Sequence, residues 1–399
     1  MIVYLPLVQN SMKLKIKLLA FQGAPESVYQ NGMARLARLI SPEKFDLAES
    51  NPDVLFFLSG GSEQLAAQQV SSNRFYLLIG SQHDNSYASA TEVKAYLNSM
   101  NIPSMLLDEE EVETKTLLHD FLTVKQALNG LHGKKLGLIG QISDWLISSS
   151  IPSDLLEAKL GIKLIGIAWD ELAHYSEHQA SGAFLASFPN EKHFDLTETA
   201  RVSGLLTDTI QKMGLDAITV ECFPLVQNHG VTACLPLARF NNEGIPAGCE
   251  GDITAIAGMM LCRELTGIIP WMANINKVTE EVCLFSHCTI APGLVSDFSV
   301  KTHFETGKGT AIAGNFKSDE VTIFRFNNQL SKAFIATAKI TGRPVSESAC
   351  RTQIAVKLTR DEVSSLRESP LGNHHLIFPG DCKKLMQLTC LMLGIQVQE

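Results

Sequence analysis

The chain has 399 residues, 45% hydrophobic and 19% charged, which excludes a disordered polymer and exceeds one ordinary core. At roughly 150 residues per domain it should form two or three domains. Its net charge of −9, with no dense run of Lys and Arg, excludes a general nucleic-acid binder.

No segment approaches the roughly 18 uninterrupted apolar residues that a membrane span needs. The opening stretch Met1–Val8 has no basic residue ahead of it and is interrupted by Pro6, so it does not read as a secretory signal. Nine cysteines stand at irregular spacing with no Cys-x-x-Cys pair. That pattern points to reduced, buried thiols and a cytoplasmic protein rather than a disulfide framework or thiolate zinc site.

In chain order, short apolar runs at 15–20, 54–58, 75–79, 104–107 and 135–139 read as strands, with helical patterns at 27–40 and 90–100 between them. Alternation of this kind predicts a parallel sheet covered on both faces, of flavodoxin-like or Rossmann-like type, over residues 1–155. A second α/β segment, 156–277, carries strand patterns at 163–168 and 217–220, helices at 200–213 and 253–265, and an apolar run at 268–272. From 278 to 399 short alternating runs dominate, at 282–285, 310–313, 321–326, 334–340 and 353–358, before a last helix at 381–393. This predicts a mostly antiparallel β domain, a sheet or small barrel.

Two polar clusters could carry chemistry. In Gly248-Cys249-Glu250-Gly251-Asp252 two carboxylates stand at a helix start, with a glycine that lets the backbone approach a ligand closely. Asp252 can cap the helix against its dipole, or the pair can bind a metal or move protons. In Gly372-Asn373-His374-His375 the histidines, if on a strand, point to opposite faces, so that one could enter a site. An ordinary polar turn accounts for the same residues. His287 in Phe285-Ser286-His287-Cys288, and His303 with Glu305, are further candidates, the latter two sharing a face if their segment is a strand. Ser59-Gly60-Gly61-Ser62 and Gly307-Lys308-Gly309-Thr310 lack the spacing of a nucleotide loop.

Taken together, these segments resemble the fucose isomerase family, more closely its short relatives, and more distantly the arabinose isomerases. The resemblance is carried by Val220-Glu221-Cys222-Phe223-Pro224, Glu243 through Asp252, Phe285 through Pro292, His303 through Gly307, Cys350-Arg351-Thr352-Gln353 and Gly372 through His375. Asp84 through Ala90 and Ser143 through Ile147 match more loosely. The resemblance implies a metal-dependent aldose–ketose isomerase working through a cis-enediol. It implies Mn2+, or Mg2+ or Co2+, on Glu221, Asp252 and His374, with Glu221, Asp252 and Glu250 as catalytic carboxylates. It also implies a sugar substrate and a homo-oligomer, a trimer or hexamer, in which a neighbour's N-terminal residues help shape the pocket.

One position departs from the pattern. Where the family carries an acid after the Cys-aromatic-Pro segment, this chain has Leu225, and Glu221 lies four positions upstream. The alternative is therefore a sugar-binding or regulatory protein that kept the fold and lost the chemistry.

Overall fold

The computed structural model describes residues 12–188 and 193–398. The opening stretch Met1–Val8 lies outside the described residues. Two compact units are present, one built from 12–126 with 391–394, the other from 127–390 with 395–398.

In the first unit five strands, β1 (Leu14–Leu19), β2 (Phe45–Leu47), β3 (Val54–Phe57), β4 (Tyr76–Gly80) and β5 (Ser104–Asp108), form one sheet in the order 2-1-3-4-5. All four pairings are parallel. This is the flavodoxin-like strand order, and β3 and β4 are buried at every residue, as a sheet covered on both faces requires. Strand β2 crosses to β3 through 48–53 with no helix. A groove of about 700 Å3 opens beside it, lined by Leu18, Tyr29, Met33, Leu47 and Leu65 among others.

The second unit starts with four parallel strands, β6 (Lys135–Ile139), β7 (Lys163–Ile167), β8 (Ala217–Val220) and β9 (Ala247–Cys249), ordered 7-6-8-9. Nine further strands follow: β10 (Trp271–Val278), β11 (Val282–His287), β12 (Val295–Lys301), β13 (Ala311–Phe316), β14 (Glu320–Phe326), β15 (Lys332–Gly342), β16 (Thr352–Lys357), β17 (His374–Pro379) and β18 (Gln396–Val397). Six of them run in the antiparallel order 14-17-10-11-16-15, and β14 also pairs with β15, so the sheet closes into a six-stranded barrel. Closure removes the exposed edges that an open antiparallel sheet would leave. The expected mixture of parallel α/β sheets and antiparallel β structure is what the structure contains.

The helix Ile253–Thr266 links the parallel sheet to the barrel. Eleven of its fourteen residues are buried, so it is apolar nearly all round rather than along one stripe. Gly258 lets it approach the barrel, because a Cβ there would overlap Leu376 of β17. Its N-terminus, capped by Asp252, lies at the carboxyl edge of the parallel sheet.

Two local expectations change, and one segment unassigned from sequence takes a definite form. The segment from His303 to Glu305 is a turn rather than a strand, closed by the Gly307 N–H to the His303 carbonyl at 2.9 Å. The 268–272 run is only partly a strand, since β10 begins at Trp271. The Cys222-Phe223-Pro224 segment opens a helix, Phe223–His229, because Pro224 suits a first helical turn and Gly230 ends it in the left-handed region.

Candidate active site

The carboxyl ends of β8 and β9 deliver Glu221 and the Glu250-Gly251-Asp252 turn to one edge of the parallel sheet, the side where open α/β sheets bind ligands. The turn is tightly specified. Glu250 is left-handed at φ 62°, an unusual state for a non-glycine residue, and Gly251 follows at φ 71°. A Cβ at Gly251 would overlap the Gln141 carbonyl, so only glycine fits. Backbone bonds from Gly251 N–H to Val220 O (3.2 Å) and from Ser143 N–H to Glu250 O (3.0 Å) fasten the turn on both sides.

The barrel supplies the histidines. Asn274 of β10 stands opposite His374 on one side and Ser286 on the other, which brings His287 and His374 near each other. Their ring centroids are 5.4 Å apart. His375 turns to the opposite face of β17, between Phe285 and Phe334, and donates Nδ1–H to the Asn373 carbonyl at 3.0 Å.

Asp252 is fully buried and uses both oxygens. Oδ1 accepts the Ala255 N–H at 2.7 Å as a helix cap, and Oδ2 accepts Nδ1–H of His374 at 2.9 Å. The helix cap and a bond to His374 thus share one side chain. With Nδ1 carrying the proton in this bond, the neutral ring presents its Nε2 lone pair. Nε2 of His374 is buried and has no hydrogen-bond partner among the described residues. It lies 3.7 Å from Glu250 Oε1.

Glu250 receives the Trp145 indole N–H on Oε2 at 2.6 Å, and its Oε1 also faces His287 Nε2 at 3.9 Å. His287 accepts the Thr289 N–H on Nδ1 at 3.2 Å, so its neutral form carries hydrogen on Nε2 and donates into the site.

Charge follows from these contacts. Burial alone would raise the Glu250 pKa, but His374, then His287 and Trp145, outweigh it and hold the carboxyl at about 2. Burial would likewise depress His374, but its contacts with Asp252 and Glu250 lift it to about 9. His287 is pushed down to about 3 by burial, reinforced by the His374 charge. Burial raises Glu305, with the Glu250 charge adding to it, and burial lowers His303.

Glu221 is held elsewhere on the same edge. Its Oε2 accepts the Gln141 N–H at 2.9 Å, and a Cβ on Gly140 would overlap its carboxylate and the Trp169 indole. Among the described residues one group offers three ligand atoms within 4.8 Å of one another, namely Cys249, Glu250 and His287. None of the expected metal ligands Glu221, Asp252 and His374 is in that group, although Asp252 and His374 are bonded to each other and His374 lies beside Glu250 and His287. Trp145 carried no signal of a site role beyond its loose motif match, since its partner Glu250 is 105 residues away. Leu225 is buried within its helix and lines a cavity of about 200 Å3 with His174, Tyr175 and His229.

All nine cysteines are free thiols, eight of them buried. Among the described residues no helix is long and apolar enough to cross a membrane.

No family model matches the chain. Curated relatives do. A sulfoquinovose isomerase of Priestia aryabhattai is 24% identical over 278 residues, covering 65% of this chain and 62% of that protein, and the Priestia megaterium enzyme of the same name matches to the same extent. A sulfoquinovose isomerase of Clostridium sp. is 21% identical over 322 residues, covering 73% and 70%. These matches support kinship with sugar isomerases, not specifically with the fucose type. The chain spans 62% of the length of the two Priestia relatives.

Proposed function

We propose that this chain is a divalent-metal-dependent isomerase that interconverts an aldose and a ketose. The observation that carries the reading is the buried Nε2 of His374, which makes no hydrogen bond among the described residues, belongs to a ring held by Asp252, and lies 3.7 Å from the Glu250 carboxylate. An imidazole whose far nitrogen is tied to a carboxylate is how metal-ligating histidines are usually held. The donor set of carboxylate and imidazole suits Mn2+, Mg2+ or Co2+ better than a structural zinc.

In this reading Glu250 and His374 hold the cation, with His287 beside them. A bound cation supplies positive charge where negative charge develops on the sugar oxygens. The remaining work falls to the chain. Trp145 fixes the Glu250 carboxylate, and His287 offers its Nε2–H to a substrate oxygen. Glu221, at the neighbouring strand end, is the proposed carboxylate for moving the proton between adjacent sugar carbons through a cis-enediol. The substrate class is a monosaccharide aldose, for which the relatives' names supply sulfoquinovose as an example. A homo-oligomer, trimer or hexamer, belongs to the same proposal. Light scattering at micromolar concentration tests it, and a monomer would remove it.

A second reading has its own support. Leu225 offers no carboxylate and Glu221 is engaged by the Gln141 amide, which favours a sugar-binding protein without turnover. Incubation with candidate aldoses and Mn2+ in deuterated water separates the two. Deuterium at C2 together with ketose formation supports the isomerase; sugar binding with neither supports the second reading.

A further inference from the structure

We infer that Arg325 is a positioning residue for His374, and that Gly372 is glycine in order to leave room for it. The inference rests on the isomerase reading and names what holds its histidine in place.

Arg325 lies on β14, one residue past Phe324, the last residue paired with β17, and is only 2% exposed. Its guanidinium joins three separate segments. Nη1 donates to the His374 carbonyl and lies 3.6 Å from Asp252 Oδ2, while Nη2 donates to the Ser149 hydroxyl at 3.0 Å. The same group thus grips the backbone of His374 and the carboxylate that accepts its ring N–H. A shift of the His374 backbone or a drift of the Asp252 cap would break a contact to this one fork.

A buried arginine is costly to desolvate and contributes little to stability for its own sake. What the planar fork adds over a point charge is direction, because two acceptors are met at once. Gly372 supports this. At φ 142° its Cβ would overlap Nη2, Cζ and Nε of Arg325, so the chain has given up a side chain two residues before His374 to seat the guanidinium.

Two substitutions in the full chain test the role. Arg325→Lys keeps the charge opposite Asp252 and loses the fork; Gly372→Ala keeps the arginine and displaces it. Proton exchange of the His374 Nδ1–H, followed by NMR with 15N-histidine, reads the ring directly, and electron paramagnetic resonance titration reads Mn2+ affinity. Both variants should lose at least about tenfold in exchange protection and bind Mn2+ about 10- to 100-fold more weakly, the range seen when such supporting contacts are removed. A merely structural arginine would lower the melting temperature and leave both readouts at wild-type values in the folded variants; that result overturns the proposal. If Mn2+ binds no form of the protein, the isomerase reading fails, while the exchange measurement still decides the role of Arg325.

Discussion

Asp252 Oδ2 and His374 Nδ1 meet at 2.9 Å across 122 residues of sequence, joining a helix cap on the parallel sheet to the first residue of a barrel strand. The contact orients the imidazole and places a negative charge beside it in a fully buried setting. Asp252→Asn should keep the cap acceptor and lose the charge, lowering divalent-cation affinity and turnover about 10- to 100-fold. Both substitutions leave Arg325 buried without its counterion, a cost of about 3–5 kcal/mol, and Asp252→Ala should in addition lose the cap, worth about 0.5–2 kcal/mol. Calorimetric metal titration and thermal melts of the two variants separate the effects.

Glu250 is the group on which His374, His287 and Trp145 converge. Glu250→Gln should abolish cation binding by isothermal titration, and Trp145→Phe should weaken it by about tenfold through loss of the bond that fixes Oε2. Equal affinity in wild type and Glu250→Gln would remove Glu250 from the ligand set.

Leu225 is buried in a helix and lines a cavity whose other residues include His174, Tyr175, Asn228 and His229 but neither Glu250 nor His374. Leu225→Glu, which restores an acid at that sequence position, should therefore lower the melting temperature by several degrees and leave turnover no higher than wild type. A gain in isomerase activity would show that this position can reach the site.

The metal-free protein should be most stable near neutrality. His287 and His375 sit at about 3 when folded, below the ordinary value of about 6.5, so the unfolded chain binds more protons and stability falls as pH drops below about 6.5. His374, raised to about 9, works the other way: its contribution is complete below about 6.5 and is lost as pH rises through about 9. Urea midpoints measured across that range should fall on both sides, and His375→Leu should flatten the acid limb.

Much of this architecture was legible because periodicity reports local structure. The strand expected at 135–139 is Lys135–Ile139, that at 217–220 is Ala217–Val220, and the helix expected at 253–265 runs Ile253–Thr266. The opposite-face rule for His374 and His375 also holds, since one ring meets Asp252 and the other packs inside the barrel. What was not legible depends on distance in space. Nothing near Trp145 or Arg325 in sequence announces Glu250 or Asp252 as a partner. The crossing from β2 to β3 without a helix hid β2, whose three residues are too few to show a period. His303 and Glu305 were read by strand spacing, whereas a hydrogen-bonded turn sets their geometry.

The central claim is that an aldose–ketose interconversion runs at Glu250 and His374 with a divalent cation. The most direct measurement is ketose formation, with deuterium incorporation at C2, by protein stripped with chelator and then titrated with Mn2+. The account predicts turnover that disappears on stripping, returns with Mn2+, and is lost in His374→Ala. Unchanged turnover in His374→Ala, or full activity after stripping, would contradict it.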